Sequence, residues 1–218
     1  MRMGYHGASH GYIAEQAKAK RLISCHLGGS CSVCAILDGK SVDSSFGFSL
    51  QTGVPHANRV GDMDPYVIPF LKNEGMSEEE ILAGLAKKGG LLGLSGVSND
   101  LRAVSEAAEA GNERAALAVE VFAVSVIRYI GMYYAELGGL DKLVFTGGIG
   151  ENSAMLREKI CRPLAHLGLE LDAERNRALP PDGRISADAS PVEILVIPAN
   201  EELGVARRTV ELLTDHKA

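Results

Sequence analysis

The chain has 218 residues, of which 46% are hydrophobic and 23% are charged, which is enough apolar material for one soluble globular domain. Its 22 Lys and Arg residues are outnumbered by 28 Asp and Glu residues, giving a formal net charge of -6. This balance argues against a nucleic-acid-binding or membrane-surface protein, because no basic field is available to attract phosphates. A small molecule is the partner that the composition favours.

The four cysteines predict neither a metal site nor a disulfide. Cys31 and Cys34 have the spacing of half a metal site, but residues three apart in a strand point to opposite faces, and no second close pair exists. Together with Cys25 and Cys161 they are expected to be reduced core thiols of a cytoplasmic protein. The chain begins without a charged segment followed by an apolar signal sequence.

The first motif in chain order is a pair of histidines, His6 and His10, that lie among glycines. They are four apart and would flank a metal ion only on a helix, and Gly7 argues against a helix there. Ser9 is instead predicted to cap a helix over residues 10–20. A metal site at the two histidines is therefore not expected.

Three short segments rich in small and β-branched residues follow, at residues 21–26, 31–37 and 40–46. Turn signals at Gly28-Gly29 and Asp38-Gly39 separate them, so they predict a meander of three strands.

Apolar positions then recur at helical spacing over residues 62–73, 77–88 and, most strongly, 112–137. The last segment contains the longest apolar run of the chain, which is interrupted by Glu120, Arg128 and Glu136. A core helix fits this pattern better than a membrane span.

Residues 142–148 predict a short buried strand that ends in glycines, followed by a helix that opens near Asn152 or Ser153. Residues 192–199 predict a second strand that runs directly into a helix, after a polar loop at 179–191. A three-strand meander followed by alternating helices and strands predicts an α/β fold with a mixed β-sheet and helices on both faces.

Two glycine-rich turns could approach a phosphorylated ligand. In FTGGIGENS, residues 145–153, a buried strand breaks into glycines before a helix, which lets backbone N–H groups face a nucleotide. In CHLGGSCS, residues 25–32, the hairpin tip could offer amides to phosphate oxygens while His26 adds a donor. Each motif alone is equally compatible with a tight turn that needs glycine.

Charged residues in three further segments have both a structural and a functional interpretation. In NRVGDMDP, residues 58–65, Arg59 could bind carboxylate or phosphate, while Asp62 and Asp64 more simply cap the next helix. Asp100 and Arg102 form a solvated pair near a helix start. Glu201 opens a helix after a buried strand, where it either complements the helix dipole or holds Mg²⁺.

Seven separated segments together resemble the C-terminal domain of the acetate/propionate kinase family, within the actin-like ATPase (ribonuclease H-like) superfold. In sequence order they read YHGASH, CHLGGSCSV, GKSVDSSFGF, NRVGDMDP, GLLGLSGVSNDLR, FTGGIGENS and IPANEELGVAR. The resemblance extends over nearly the whole chain and treats residues 1–218 as one nucleotide-binding domain.

The resemblance implies a role for each matching residue. His6 and Arg59 match the catalytic pair beside the transferring phosphoryl group, and Glu201 matches a carboxylate that holds Mg²⁺. The residues matched to binding of the nucleotide, ATP or ADP, are His26, Leu27, Gly28, Gly29, Ser30, Asp100, Leu101, Arg102, Gly148, Ile149, Gly150, Glu151 and Asn152.

The implied reaction is transfer of a phosphoryl group from ATP to a short carboxylate, which yields an acyl phosphate and ADP. Such a transfer depends on charge neutralisation and alignment more than on covalent chemistry. The family's N-terminal domain, with further catalytic groups, precedes the segment that matches His6 and is not expected in this chain.

This expectation leaves three alternatives: a kinase polypeptide without its N-terminal half, a nucleotide-binding and homodimerising remnant without turnover, or a kinase for propionate or butyrate. The acid is left open because several positions depart from the family pattern. HLGGS replaces HLGNG, Ala57-Asn58 replace Gly-Thr before Arg59, and Tyr5 and Leu50 replace phenylalanine and proline at the acyl pocket.

Overall fold

The structure is a computed structural model and describes residues 5–215. Within that range the chain forms one five-stranded mixed sheet in the order β3-β2-β1-β4-β5. The strands are β1 (Arg21–His26), β2 (Ser32–Leu37), β3 (Lys40–Ser44), β4 (Lys142–Thr146) and β5 (Glu193–Val196). The predicted meander and both later strands are thus confirmed, and β4 and β5 are shorter than the predicted ranges 142–148 and 192–199.

Ten α-helices are found in the described range, together with one 3-10 helix at Arg162–Leu167. They are α1 (Gly7–Ala17), α2 (Val67–Asn73), α3 (Glu78–Lys87), α4 (Gly90–Ser95), α5 (Leu101–Glu109), α6 (Glu113–Glu136), α7 (Gly147–Asn152), α8 (Ala154–Cys161), α9 (Ala173–Ala178) and α10 (Glu201–Asp215).

The central strand β1 joins the two halves of the sheet. It pairs with β2 in antiparallel register and with β4 in parallel register, and β4 continues in parallel to β5. Apolar side chains are buried on both faces, in a large cluster that includes α6 and a smaller one that includes α1. The mixed sheet with helices on both faces is therefore confirmed, as is the α/β class.

Helix α6 forms the centre of the larger core. Nine of its side chains are buried: Ala115, Ala118, Val119, Phe122, Ala123, Val126, Tyr129, Ile130 and Tyr133. In the described part of the chain this helix alone is long and apolar enough to cross a membrane, yet it packs against β1, β2, α4, α5 and α8. Its apolar character is thus explained by core packing.

The prediction for the first helix is wrong at its start. The helix begins at Gly7 rather than near residue 10, and His6 is its N-cap residue in the left-handed region, with φ of 62°. The expectation failed because a glycine in the first helical turn does not incur the cost that it has in a helix interior. Ser9, which was expected to be the cap, has its hydroxyl 2.8 Å from Nδ1 of His26.

The prediction for residues 62–73 is also partly wrong, because α2 begins only at Val67. Asp62 does not cap it: its carboxylate accepts hydrogen bonds from the Gly53 N–H and the Tyr129 hydroxyl. Asp64 does bind near the helix start, where Oδ1 accepts from the N–H of Tyr66 at 2.9 Å. Asp62 therefore fastens the loop before α2 to the central helix.

The four cysteines are buried and free. Cys31 lies in the cluster on the α6 side of the sheet and Cys34 in the cluster on the α1 side. Burial raises the pKa of Cys31 to about 12 and that of Cys34 to about 11, so both are neutral thiols. The expectation that Cys31 and Cys34 are core residues on opposite faces of the sheet is confirmed.

Candidate functional site

The candidate site lies at the carboxyl ends of the three parallel strands β1, β4 and β5. Each strand leads into a segment that the sequence analysis singled out: β1 into the Gly28-Gly29 hairpin, β4 into the glycines of α7, and β5 into the start of α10. Carboxyl ends of parallel strands meet at one edge of a sheet, which is where open α/β sheets bind ligands.

A cleft of about 590 Å³ opens at this edge. It is lined by the Gly28-Gly29 hairpin, by α7 and the start of α8, and by one face of α5 from its N-cap Asp100 to Glu109. Eight of the residues predicted to bind nucleotide line it: Gly28, Gly29, Asp100, Leu101, Arg102, Gly148, Ile149 and Asn152. Segments more than 120 positions apart thus meet around one cavity large enough for a nucleotide.

Leu27 and Gly150 are buried behind this cleft instead of lining it. The Leu27 carbonyl accepts hydrogen bonds from the N–H groups of Ile149 and Gly150 at 2.8 and 3.1 Å, and its own N–H donates to the Thr146 carbonyl. The two residues therefore tie the hairpin to the glycine turn, which fixes the spacing between the two glycine loops.

Glu151 also holds the edge together. Its Oε1 accepts hydrogen bonds from the N–H groups of Gly147 and Ala199, both at 2.9 Å. The carboxylate thereby links α7 to the segment between β5 and α10. Its role in this structure is to position the cleft wall, and direct binding of nucleotide by Glu151 stays a prediction.

Asp100 and Arg102 form the rim of the cleft on α5. Asp100 caps the helix by accepting from the Arg102 N–H at 2.9 Å, and the Arg102 guanidinium lies 2.8 Å from its other oxygen. These hydrogen bonds hold the pKa of Asp100 below its usual range. Arg102 is largely exposed, so the pair can reorganise around a ligand at little cost.

Histidines and one arginine gather beside the hairpin. The rings of His6 and His26 stack with centroids 4.1 Å apart. Burial, with the nearby His26, His56 and Arg59, lowers the pKa of His6 to about 3. Burial also lowers the pKa of His26, although Glu201 and Glu151 oppose that shift. Both rings are therefore neutral near pH 7.

Arg59 connects this cluster to the hairpin tip. Its Nη2 donates to the Ser30 hydroxyl at 2.5 Å and its Nη1 donates to the Leu50 carbonyl at 2.8 Å. The guanidinium also lies 5.8 Å from the centroid of the Phe46 ring. Ser30 accordingly contacts Arg59 and does not line the cleft, and the arginine is held between the loops that contain Ser30 and Leu50.

Glu201 stands at the first turn of α10, with Oε1 4.0 Å from Nδ1 of His26. Its side chain is half exposed, so it can reach a bound ion. No group of three His, Cys, Asp or Glu side chains in residues 5–215 is arranged to hold a metal by itself. A lone carboxylate of this kind suits Mg²⁺, which takes one or two carboxylates and completes its shell with phosphates and water.

The sequence analysis missed a buried arginine behind the cleft. Arg157 is 2% exposed, and its Nη1 donates to the carbonyls of Gly150 and Glu151, both at 2.8 Å. Its Nε and Nη2 donate to the side chain and backbone of Asn176. The available signal was weak, since an arginine on an amphipathic helix is normally a solvated residue.

The fold and the cleft define this protein as an α/β domain with a glycine-lined site at the carboxyl ends of parallel strands. A model of the acetokinase family matches residues 1–207. The chain belongs to the acetokinase family.

Individual relatives agree with that assignment. The chain is 44% identical over 218 residues to an acetate kinase of Shouchella clausii and 47% identical over 215 residues to a propionate kinase of Yersinia enterocolitica. The crystal structure of Porphyromonas gingivalis acetate kinase superposes with a TM-score of 0.92 at 39% identity.

These matches cover a larger share of this chain than of its relatives. They cover 96%, 94% and 97% of this chain, but 55%, 52% and 56% of the respective relatives. The chain therefore spans about half the length of the relatives it matches.

Proposed function

We propose that this chain is the nucleotide-binding part of an ATP-dependent carboxylate kinase, which transfers the γ-phosphoryl group of ATP to acetate and releases acetyl phosphate and ADP. The observation that supports the proposal most directly is the meeting of two glycine turns and a histidine–arginine cluster at one strand edge. Membership of the acetokinase family supports the same chemistry.

In this proposal the nucleotide lies along the cleft. Its base and ribose contact the rim formed by Asp100, Leu101 and Arg102, and its phosphates run between Gly28 and Gly148. Neither Gly28 nor Gly148 has a side chain to obstruct that passage. The N–H groups of Gly147, Ile149 and Gly150 already donate to Glu151 and Leu27, so these glycines contribute space and not helix-start donors.

The reacting end of the nucleotide then meets His6, His26 and Arg59. Arg59 is the permanent cation, and its fork geometry suits two phosphoryl oxygens. The two imidazoles are neutral, so they contribute hydrogen bonds and add no charge of their own. Glu201 would hold Mg²⁺, which when bound neutralises the charge of the nucleotide phosphates.

Propionate is a second candidate substrate because one close relative is named a propionate kinase. A cytoplasmic location and a homodimer are further parts of the proposal. The dimer is supported by a groove beside α6, in which the apolar residues Pro55, Val60, Leu94, Val121 and Met132 lie beside Asp62, Ser125 and Arg128, and by the exposed Leu117 on the same helix.

A calorimetric titration of the 218-residue chain with ADP and Mg²⁺ tests nucleotide binding. We expect one site with a dissociation constant below about 1 mM, equivalent to about -4 kcal/mol or better. No heat of binding at millimolar ADP would contradict the proposal.

Turnover is tested separately by trapping acyl phosphate with hydroxylamine in the presence of ATP, Mg²⁺ and acetate or propionate. Hydroxamate that depends on Arg59 supports the kinase. Nucleotide binding without any hydroxamate supports the second candidate, a nucleotide-binding and dimerising domain without turnover.

A further inference from the structure

Three buried serines contact the histidines of the site through two hydrogen-bonded chains. In the longer chain, Ser24 Oγ lies 2.9 Å from Nδ1 of His10, whose Nε2 lies 2.8 Å from Ser32 Oγ. Ser32 Oγ in turn lies 2.8 Å from Nδ1 of His6. In the shorter chain, Ser9 Oγ lies 2.8 Å from Nδ1 of His26. All three serine side chains are fully buried.

The direction of the longer chain follows from its buried end. Among the described residues, His10 is the one hydrogen-bond partner of the Ser24 hydroxyl. If His10 donated to Ser24, the hydroxyl hydrogen of Ser24 would be buried without an acceptor, which is costly. Ser24 therefore donates to His10, so the proton of His10 is on Nε2 and is donated to Ser32.

The same count continues to His6. Ser32 has one hydroxyl hydrogen; because it accepts from His10, it donates to Nδ1 of His6, and the His6 proton is left on Nε2. Burial lowers the pKa of His10 to about 3, so this ring is neutral and carries a single proton. Among the described residues, the Ser32 hydroxyl bonds only to His6 and His10, and the Ser24 hydroxyl bonds only to His10.

The shorter chain gives the same result for His26. Ser9 is buried and has His26 as its one hydrogen-bond partner in the described range, so its hydroxyl donates to Nδ1 and the His26 proton lies on Nε2. An ideal Cβ at Gly28 would lie 4.0 Å from this Nε2. The donor nitrogen of His26 is therefore next to the hairpin that lines the cleft.

We propose that Ser24, His10 and Ser32 form a one-directional hydrogen-bond chain that holds His6 as the Nε2–H tautomer, and that Ser9 does the same for His26. The stacked rings of His6 and His26 then each present an Nε2–H donor. In the opposite tautomers, each Nε2 would present a lone pair instead. Ser24 and His10 are positioning residues, since they act on His6 only through hydrogen bonds that pass by way of Ser32. That these donors bind phosphoryl oxygens rests on the proposed function. The assignment of the tautomers does not depend on it.

The test is the tautomeric state of the 218-residue chain labelled with ¹⁵N-histidine, recorded without nucleotide at pH 7. Long-range ¹H–¹⁵N correlation distinguishes a protonated ring nitrogen from an unprotonated one, and the spectra of His6→Gln and His26→Gln assign the signals. We expect His6 and His26 both to carry the proton on Nε2. A proton on Nδ1 of His6 would overturn the proposal, whatever the outcome of the ADP titration.

A substitution at the buried end tests the positioning role. Ser24→Ala removes the donor that sets the direction, so we expect His6 to change from one tautomer to a mixture, with about half of the molecules protonated on Nδ1. Ser24→Thr keeps a hydroxyl and should restore the single tautomer. Ser44→Ala, a buried serine on β3 that bonds to no histidine, should leave it unchanged.

An unaltered His6 spectrum in folded Ser24→Ala would contradict the directing role of Ser24. If that variant does not fold, which its thermal unfolding curve would reveal, the wild-type tautomer still decides the direction. Failure of the proposed function is distinguished by ADP binding, because the spectra require no ligand.

Discussion

At the scale of single residues, two neighbouring glycines in the same turn do different work. Gly147 has φ of +76°, and a Cβ there would lie 2.8 Å from the Leu27 carbonyl oxygen. A Cβ on Gly148 would meet nothing within 4 Å, and this residue lines the cleft. The first glycine is required by the backbone and the second leaves space for a ligand.

The adjacent alanine substitutions should therefore separate folding from binding. Gly147→Ala is expected to lower the free energy of unfolding by roughly 2 kcal/mol or more, because an L-residue in the left-handed region is strained and this one also clashes. Gly148→Ala is expected to fold normally and to weaken ADP binding by about tenfold, or about 1.4 kcal/mol.

Denaturant unfolding and calorimetry measure the two effects. Gly84→Ala, in α3 and away from the cleft, serves as the control for adding a methyl group, since its Cβ would also meet nothing within 4 Å. Equal loss of stability in Gly147→Ala and Gly148→Ala would contradict the division of roles.

At the scale of secondary-structure elements, α7 depends on a helix that packs behind it. Arg157 of α8 donates to the carbonyls of Gly150 and Glu151 at the C-terminal end of α7. A guanidinium at a helix C-terminus is favourable because the last carbonyls carry partial negative charge. Three glycines give α7 little intrinsic stability, so this buried cation replaces what the sequence of the helix lacks.

Arg157→Met should lower the free energy of unfolding by roughly 3 kcal/mol, because it leaves the buried carbonyls and Asn176 without donors. ADP affinity should fall as well, since α7 forms one wall of the cleft. The exposed Arg162→Met, five residues later, is the matched control and is expected to stay within about 0.5 kcal/mol of the wild type. If Arg157→Met were as stable as Arg162→Met, the stabilising role of Arg157 at the end of α7 would be disproved.

Elements with a strong periodic pattern were predictable from the sequence, and those determined by distant partners were not. Helix α6 and strands β1, β2, β4 and β5 follow from apolar spacing and glycine turns. The prediction of a glycine turn at residues 147–152 is wrong, since these residues form α7; a segment with three glycines among six residues has little helix propensity. Its helical form depends on Leu27 and Arg157, which contact it from other elements.

The candidate site was predictable to a similar extent. Its glycine turns and the residues of the rim form short local motifs, which match the family's motifs in the same order along the chain. The serine–histidine chains were not foreseen, because Ser24 and Ser32 are ordinary strand residues until the fold places them against His10. Single-sequence patterns carry no information on such pairings across elements.

At the scale of the whole molecule, the site contains four histidines that are harder to protonate than histidines in water. The pKa values of His6, His10, His26 and His56 are all lowered, with burial as the largest cause in each case. The groups that face them are one another, Arg59, Glu151 and Glu201. The folded protein therefore binds fewer protons in this region than the unfolded chain does.

This difference predicts loss of stability in mild acid. The pKa is lowered to about 3 for His10 and about 4 for His56, below the ordinary value near 6.5, so between those limits protonation favours the unfolded chain. The free energy of unfolding should fall by roughly 2 kcal/mol per pH unit between pH 6 and pH 4 from these two buried rings. Above about pH 8 the histidines should contribute almost no slope, because the unfolded chain has then lost these protons too.

Urea unfolding at several pH values measures this slope. His166 is exposed, so His166→Gln is the control that should leave the slope as it is in the wild type. A free energy of unfolding that stays level from pH 7 to pH 4 would be incompatible with buried neutral imidazoles.

The position of β1 at the centre of the sheet has a consequence for how the molecule folds. Its partner β2 follows after a short hairpin, whereas Arg21 at its other edge bonds to Asp141, 120 positions along the chain. Closing so long a loop is slow compared with forming a hairpin. The meander should thus form first, with one side of β1 unpaired until β4 arrives, and during that interval the growing chain is most exposed to aggregation.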